Sequence, residues 1–184
     1  MGTIKTTNIE PIANNGTVTL GSSGDTFTVP SGVTVNMSSA TQTGVGGANT
    51  PSFSAYDASN QTIPNTTYTL LEFDTKSFDT DSAYNTSTYK FTVPSGKGGK
   101  YLIGCAVKTS GATDRLILRL EKNDANTFYS ETNTGTEAGS GQFNLLMDLS
   151  AGDHLKVAVY QNSGGNLNLE GGSGTNNFYG YKLI

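Results

Sequence analysis

The chain has 184 residues, of which 34% are hydrophobic, 14% are charged and 23 are glycine; this length permits one or two domains, and the mixture favours short strands joined by many turns. The net charge of −4 and the scattered positions of the 11 Lys and Arg residues argue against nucleic-acid binding by phosphate neutralisation. The single cysteine, Cys105, excludes an intrachain disulfide and a cysteine-based zinc cluster, and no apolar run approaches the roughly 20 residues of a membrane span.

The first region, residues 1–37, is predicted to form very short strands. Three pairs of alternating apolar residues lie between turn sequences rich in Gly, Asn, Pro and Ser: Val18 and Leu20, Phe27 and Val29, and Val33 and Val35. Two inward side chains per strand cannot build an independent core. We therefore expect a β stalk that requires a partner surface. Residues 38–50 are mainly small and polar and are predicted to be a linker.

From Pro51 to Ile184 the strands lengthen and apolar residues alternate with polar ones, which is the pattern of half-buried strands. The clearest segments are 101–107, 116–122, 143–149 and 155–159, and further strands are predicted within 53–55, 65–78, 84–93 and 178–184. Eight or more strands separated by Gly-Ser-Asn turns predict an all-β sandwich or barrel. The polar stretches 128–141 and 162–177 are predicted to be contact loops on this scaffold.

The last predicted strand has bulky apolar side chains on both faces. Phe178 lies on one face, whereas Tyr179, Tyr181 and Leu183 share the other. One face can pack inside the sandwich, and the second, if left in water, would be an aggregation-prone patch. A symmetry-related copy of the chain would cover it. A strand with both faces buried inside one subunit would show the same pattern, so the residues alone leave both arrangements open.

Seven short landmarks occur in a fixed order between Pro51 and Ile184. They are Phe53-Ser54-Ala55, the apolar segment 71–78, Tyr84 with the later Tyr89-Lys90-Phe91-Thr92-Val93-Pro94, Gly99-Lys100-Tyr101, Leu118-Arg119-Leu120-Glu121-Lys122-Asn123, Leu149-Ser150-Ala151-Gly152-Asp153 and Phe178-Tyr179-Gly180-Tyr181-Lys182-Leu183. No one of them is specific, but their order resembles that of the C1q and tumour-necrosis-factor-like jelly rolls. The resemblance implies an all-β jelly-roll sandwich that assembles as a compact homotrimer around a three-fold axis.

The resemblance also guides the choice of residues that face the sister chains. We expect Tyr101, Tyr179, Tyr181 and Leu183 at the trimer interface. A second, weaker resemblance covers Thr3 to Val35, which is similar to repeat segments in fibres and surface proteins of tailed bacteriophages. It implies that three chains wrap their short strands into a stalk, which would attach to other virion structural proteins.

Few residues fit a chemical site. His154 is the only histidine, so we interpret it as a solvated turn residue rather than a metal ligand. Asp79 and Asp81 lack the regular oxygen spacing and the later Glu of a calcium loop, and are interpreted as solvated loop acids. Cys105 lies on the apolar face of its strand, where free cysteine usually acts as a small hydrophobe. We therefore predict no catalytic residue, no metal site and no cofactor.

The polar loops remain as the predicted contact surface, with Tyr129, Glu131 and Asn133 as candidate receptor residues that can hydrogen-bond and stack on a sugar. We expect a non-enzymatic virion surface protein, a short trimeric fibre or decoration knob of a tailed bacteriophage, with host glycans as candidate ligands bound through avidity. Met1 is followed by no apolar h-region, so we expect no signal peptide, synthesis in the host cytoplasm and a final location on the virion surface.

Three alternatives stay open. A capsid cement protein would have the same fold without a receptor role. A glycan-cleaving tail enzyme would need two carboxylates at a separation that a sequence does not give. A secreted bacterial C1q-like adhesin would need the signal peptide that residues following Met1 do not provide.

Overall fold

The computed structural model describes Thr17, residues 19–35 and residues 49–183. The chain divides into two units, Met1–Thr43 and Gly44–Ile184, which are considered separately. The second unit is called the head below. The predicted linker, residues 38–50, lies outside the described residues except for Asn49 and Thr50, and the predicted domain boundaries at residues 37 and 51 stay predictions.

Residues 19–35 of the first unit contain two turns and no strand. One turn is closed by the Asp25 carboxylate, which accepts a hydrogen bond of 2.7 Å from the backbone N–H of Ser22. The apolar side chains of this segment are all exposed: Leu20, Phe27, Val29, Val33 and Val35. The single chain therefore forms no strand within residues 19–35, where the exposed apolar side chains bury little surface. Pairing with other chains stays a prediction, and Val18 lies outside the described residues.

Every regular element among the described residues of the head is a β-strand. The strands are β1 (Ser52–Tyr56), β2 (Gln61–Ile63), β3 (Thr69–Leu70), β4 (Thr75–Asp79), β5 (Tyr84–Asn85), β6 (Lys90–Thr92), β7 (Gly99–Lys108), β8 (Leu116–Lys122), β9 (Ala125–Thr132), β10 (Ser140–Leu149), β11 (His154–Gln161), β12 (Leu167–Leu169) and β13 (Asn177–Lys182). All paired strands run antiparallel, as short strands joined by Gly-rich turns predict.

Two large sheets form the head. The first has the strand order β10-β7-β13-β1-β4, and the second has the order β5-β6-β11-β8-β9 with β3 also paired to β11. A small third sheet joins β12 to β2. The first and last strands, β1 and β13, are neighbours at the centre of the five-stranded sheet. The predicted jelly-roll sandwich is confirmed.

The core lies between the two large sheets and is rich in aromatic rings. Phe53 of the five-stranded sheet stacks on Phe91 of the six-stranded sheet, with 4.6 Å between ring centroids. Tyr84 stacks on Phe53 at 5.2 Å, and its hydroxyl donates a hydrogen bond of 3.0 Å to the Phe73 carbonyl. Cys105 is buried here, as predicted, and burial raises the pKa of its thiol. These contacts hold the two sheets together.

The structure corrects three details of the predicted strands. The predicted loop 128–141 begins within strand β9 and ends within β10, because β9 is an edge strand whose side chains are mostly exposed and carry no clear alternation. The predicted strand within 65–78 divides into β3 and β4, between which buried Leu71 and Phe73 enter the core. The predicted loop 162–177 contains the short strand β12.

Candidate functional site

The outer side of the five-stranded sheet carries a row of exposed apolar side chains. Tyr181 lies directly opposite Leu102 of β7, which lies opposite Leu146 of β10. Leu146, on the edge strand β10, is 74% exposed, and Tyr181, on the central strand β13, is 39% exposed. Phe78 of β4 is 51% exposed and extends this surface on the far side of β1. We call this surface, formed by Leu102, Leu146, Tyr179, Tyr181 and Phe78, the assembly face.

A glycine determines how Tyr179 lies on the assembly face. Tyr179 of β13 is directly opposite Gly104 of β7. The Tyr179 hydroxyl reaches across β7 and donates a hydrogen bond of 2.6 Å to the Asn144 side-chain oxygen on β10. A Cβ atom on Gly104 would collide with the tyrosine ring and with Asn144. Because Gly104 has no side chain, the Tyr179 ring lies over it against the sheet and does not project from the assembly face.

One end of the assembly face has a charged margin. Lys100 and Asp148 form an exposed ion pair with 3.4 Å between Lys100 Nζ and Asp148 Oδ2. The same two residues line a cavity together with Leu146 and Leu183. Leu183 follows β13 and is partly buried, and its backbone N–H donates a hydrogen bond of 2.7 Å to the Lys100 carbonyl. The predicted residues Tyr179, Tyr181 and Leu183 are thus brought together around one surface.

Tyr101 does not belong to this surface. It is 0% exposed, and its ring lies 5.8 Å from that of Phe91 inside the core. Its hydroxyl donates a hydrogen bond of 2.6 Å to the Lys97 carbonyl, and burial raises the pKa of this hydroxyl to about 12. The physical reason is the strand period: Tyr101 points the same way as Ile103, so the neighbouring Leu102 points outward. The buried Tyr101 side chain is therefore not available to contact a sister chain, in contrast to the prediction.

The outer side of the six-stranded sheet has a different character. Three tyrosines meet there: the Tyr68 ring centroid lies 5.3 Å from that of Tyr160 and 6.5 Å from that of Tyr129. The guanidinium carbon of Arg119 lies 4.0 Å from the centroid of the Tyr68 ring, which is cation–π geometry. Burial raises the pKa of the Tyr68 hydroxyl, and the neighbouring Tyr129 acts in the same direction.

A fixed ion pair lies beside these tyrosines. Arg115 Nε is 2.6 Å from Glu131 Oε1, and Arg115 Nη2 is 2.9 Å from Glu131 Oε2, so the contact is bidentate. The hydrogen bonds and charge of Arg115 lower the pKa of Glu131, which keeps the pair ionised. We call the surface formed by Tyr68, Tyr129, Tyr160, Arg115, Arg119 and Glu131 the tyrosine face.

The three candidate receptor residues do not lie on one loop. Tyr129 and Glu131 lie in strand β9 rather than in a loop, and they share its outward side because they are two residues apart. Asn133 follows the strand, and its side-chain oxygen accepts a hydrogen bond of 2.7 Å from the Gly135 N–H. Asn133 thus stabilises a turn, which gives its side chain a local structural role.

The sequence did not predict several residues of the two faces. Leu102 and Leu146 each break the polar–apolar alternation of a predicted strand, and that irregularity is the signal that could have identified them. Tyr68, Tyr160 and Arg115 carry no comparable signal. They meet only because β3, β11 and β8 are adjacent in the sheet.

The acidic and histidine candidates are structural. The Asp79 side chain is only 3% exposed and accepts a hydrogen bond of 2.9 Å from the Ala83 N–H, so Asp79 is a buried turn residue rather than a solvated acid. His154 begins β11, with its Nε2 atom 3.2 Å from Asp124 Oδ2. Across the described residues, no group of three or more His, Cys, Asp or Glu side chains is placed to hold a metal ion. Nor do those residues include a helix long and apolar enough to cross a membrane.

No protein-family model matches the chain, and no curated protein sequence matches it. Solved structures do match the fold. The globular domain of zebrafish complement 1qA protein is 18% identical, covers 73% of this chain and 98% of its own, and superposes with a TM-score of 0.54. Murine APRIL is 12% identical, covers 72% of this chain and 98% of its own, and has a TM-score of 0.58.

A viral structural protein also matches. PRD1 vertex protein P5 is 19% identical, covers 75% of this chain and 100% of its own, and has a TM-score of 0.59. At these identities the likeness concerns the fold alone. It agrees with the seven ordered landmarks and with the pairing of β1 and β13 at the centre of one sheet. The head therefore has the jelly-roll fold that is seen in C1q and tumour-necrosis-factor-like structures.

Proposed function

We propose that the protein is a non-enzymatic virion surface protein, a homotrimeric short fibre or decoration knob of a tailed bacteriophage. In this proposal the assembly face joins three heads, the N-terminal segment attaches to other virion structural proteins, and the tyrosine face is exposed to host glycans. The fold shared with PRD1 vertex protein P5 supports a place on a virus particle.

The observation that carries the proposal is the exposed apolar row of the assembly face. Tyr181 lies on the central strand β13 and Leu146 on the edge strand β10, and contact of these apolar side chains with water has an unfavourable free energy. β13 is paired with a strand on both sides, and among the described strands β10 is paired only with β7. Both side chains remain exposed, so no element of the described head covers them. A second copy of the chain is an occupant of matching chemistry, because interface cores are apolar and poor in charged residues.

The edge of the head offers a second apolar surface beside the first. Strand β10 ends the five-stranded sheet and β9 ends the six-stranded sheet. A groove at this edge is lined by four apolar residues, Phe128, Leu145, Leu146 and Met147, and by Lys122, Thr127 and Asp148. A face on one subunit and an edge on the next make a head-to-tail contact, which closes into a ring when the rotation permits. A ring of three is the number that the C1q and tumour-necrosis-factor resemblance implies.

The exposed apolar residues of the first unit support a role in assembly. Phe27 and Val33 are exposed, and their segment, residues 19–35, forms no strand. Bundling three copies would bury them, as the predicted stalk requires. Deleting residues 1–48 should abolish attachment to particles while the head remains soluble. Particle sedimentation with purified protein measures this, and unchanged attachment would contradict the proposed anchor.

Solution mass tests the assembly directly. Sedimentation equilibrium of the full chain at micromolar concentration should give three times the mass of one chain. A mass of one chain would contradict the trimer and the avidity that depends on it. A separate assay addresses the non-enzymatic role: incubation with host polysaccharide should release no new reducing ends, and sustained release would favour the glycan-cleaving alternative.

A further inference from the structure

Tyr129 is the most exposed aromatic side chain of the tyrosine face, with half of its surface open to solvent. Its ring meets that of Tyr68 at 68°, so one side of the Tyr129 ring is supported by a neighbour. An aromatic ring on a strand offers a flat apolar surface at a low cost in conformational entropy. The feature suits a ligand with a small apolar face.

The polar groups beside Tyr129 are held in place before any ligand binds. The bidentate contact fixes the Arg115 and Glu131 side chains, and each of them is about half exposed. The pair therefore presents hydrogen-bond donors and acceptors side by side on a rigid strand. Its two charges cancel, so the site has no net preference for an anion or a cation.

Charges beneath the ring layer are also paired. Arg119, which lies under the Tyr68 ring, forms an ion pair with Glu121 on the same strand. The tyrosine face is thus a small apolar surface divided by compensated charges. A protein–protein interface of usual size needs a larger patch with few charges at its centre. On the assembly face the row of Leu102, Leu146 and Tyr181 contains no charged residue, whereas charged pairs lie among the rings of the tyrosine face.

We propose that Tyr129, together with the Arg115–Glu131 pair, binds a neutral hexopyranose unit of a host surface polysaccharide. The C–H face of the sugar packs on the Tyr129 ring, and adjacent hydroxyls, each of which both donates and accepts, bond to the free atoms of the ion pair. The inference rests on the proposed glycan-binding role of the head, and it assigns that role to these residues and to uncharged sugars.

Affinity electrophoresis of the full chain tests the assignment. Native gels contain a soluble glucan, mannan or galactan, and a further gel contains polygalacturonate as an anionic comparison. The wild-type protein should be retarded by at least one neutral polysaccharide more than by polygalacturonate. Tyr129→Ala should weaken that binding about tenfold, because a stacking contact of aromatic size is lost. Tyr129→Phe should keep most of the affinity, since the ring remains.

Two further variants sharpen the test. Tyr89→Ala, at the turn between β5 and β6 at the opposite edge of the sheet from β9, is the matched control and should bind as wild type. Glu131→Gln leaves the Arg115 charge uncompensated, so retardation by polygalacturonate should increase relative to the neutral gels.

Each outcome has one meaning. If the wild type is retarded by a neutral polysaccharide and Tyr129→Ala binds equally well, the site assignment is wrong while the glycan-binding role stands. If no neutral polysaccharide retards the wild type, the ligand class is wrong, and the trimer is judged separately by its mass. Stronger retardation of the wild type by polygalacturonate than by every neutral gel would contradict the uncharged ligand.

Discussion

The two outer surfaces of the head have the same backbone architecture and opposite chemistry. On the assembly face, Leu146 and Tyr181 are exposed with no charged residue between them in their row. On the tyrosine face, the exposed ring of Tyr129 lies beside paired charges. The comparison shows that in a sandwich the inward side chains specify the fold, while the outward ones decide what each sheet can contact.

The largest effect is expected on trimer assembly, from a substitution where the assembly face meets the groove between β9 and β10. Leu146 belongs to both surfaces, so Leu146→Asp places a carboxylate in each proposed contact. Burying an unpaired charge is strongly unfavourable, so the trimer should dissociate fully into single chains. Sedimentation equilibrium measures the mass. Tyr129→Asp puts the same charge on the tyrosine face and should leave the mass unchanged; dissociation of both variants would remove the distinction between the faces.

The next largest effect is expected on the stability of the head, from a substitution in the core between the two sheets. Phe53 contacts Phe91 at 4.6 Å and Phe178 at 5.1 Å, so Phe53→Ala leaves a cavity between the sheets. We expect a loss of about 3–5 kcal/mol in the free energy of unfolding, measured by urea denaturation. Phe53→Leu, which keeps most of the volume, should lose clearly less. Equal losses in the two variants would mean that packing at Phe53 does not couple the sheets.

A smaller effect is expected from the glycine beneath Tyr179. Gly104→Ala introduces a Cβ that collides with the Tyr179 ring, so the ring must move and its bond to Asn144 is lost. Overpacking of this kind costs about 1–3 kcal/mol, and the trimer should dissociate at a higher protein concentration than the wild type does. Gly165→Ala is the control, since a Cβ at Gly165 meets no atom. An unaltered dissociation constant for Gly104→Ala would show that the position of Tyr179 does not matter for assembly.

The smallest effect is expected on the pH dependence of stability. It concerns Asp153, in the turn between β10 and β11 that joins the two sheets. The Asp153 carboxylate is 2.7 Å from Lys122 Nζ and accepts a hydrogen bond of 2.7 Å from the Asn123 side chain. These contacts lower the pKa of Asp153 to about 2, below its ordinary 3.8. The stabilisation is therefore present above pH 3.8 and disappears as the pH falls through about 2.

Urea denaturation of Asp153→Asn at several pH values measures this contribution. The variant should be less stable than wild type at pH 7, and the difference should diminish as the pH falls through about 2, because the wild-type carboxylate becomes protonated there. Mass and polysaccharide binding at pH 7 should both match wild type, because Asp153 belongs to neither face. A stability difference that does not change with pH would contradict the proposed ionic contribution.

The fold was predictable because its strands have a strong local signal. Leu116–Lys122 alternates apart from Ile117, and the structure places a strand with those bounds. The shared face of Tyr179 and Tyr181 follows from the same period. The period also puts Tyr101 on the face of Ile103, but it does not say which face is inward, and the structure buries that face and leaves Leu102 on the outer one. The tyrosine face could not be predicted, because it depends on the order of strands distant in the chain.

The central pairing of β1 with β13 has a consequence for synthesis. During synthesis β1 leaves the ribosome early, whereas its neighbour β13 is translated near the end of the chain. Until β13 arrives, both β1 and β7 have an open edge, and Tyr179 and Tyr181 are not yet in place. In the proposed trimer, a prematurely stopped chain would therefore lack the surface through which it joins its sister chains.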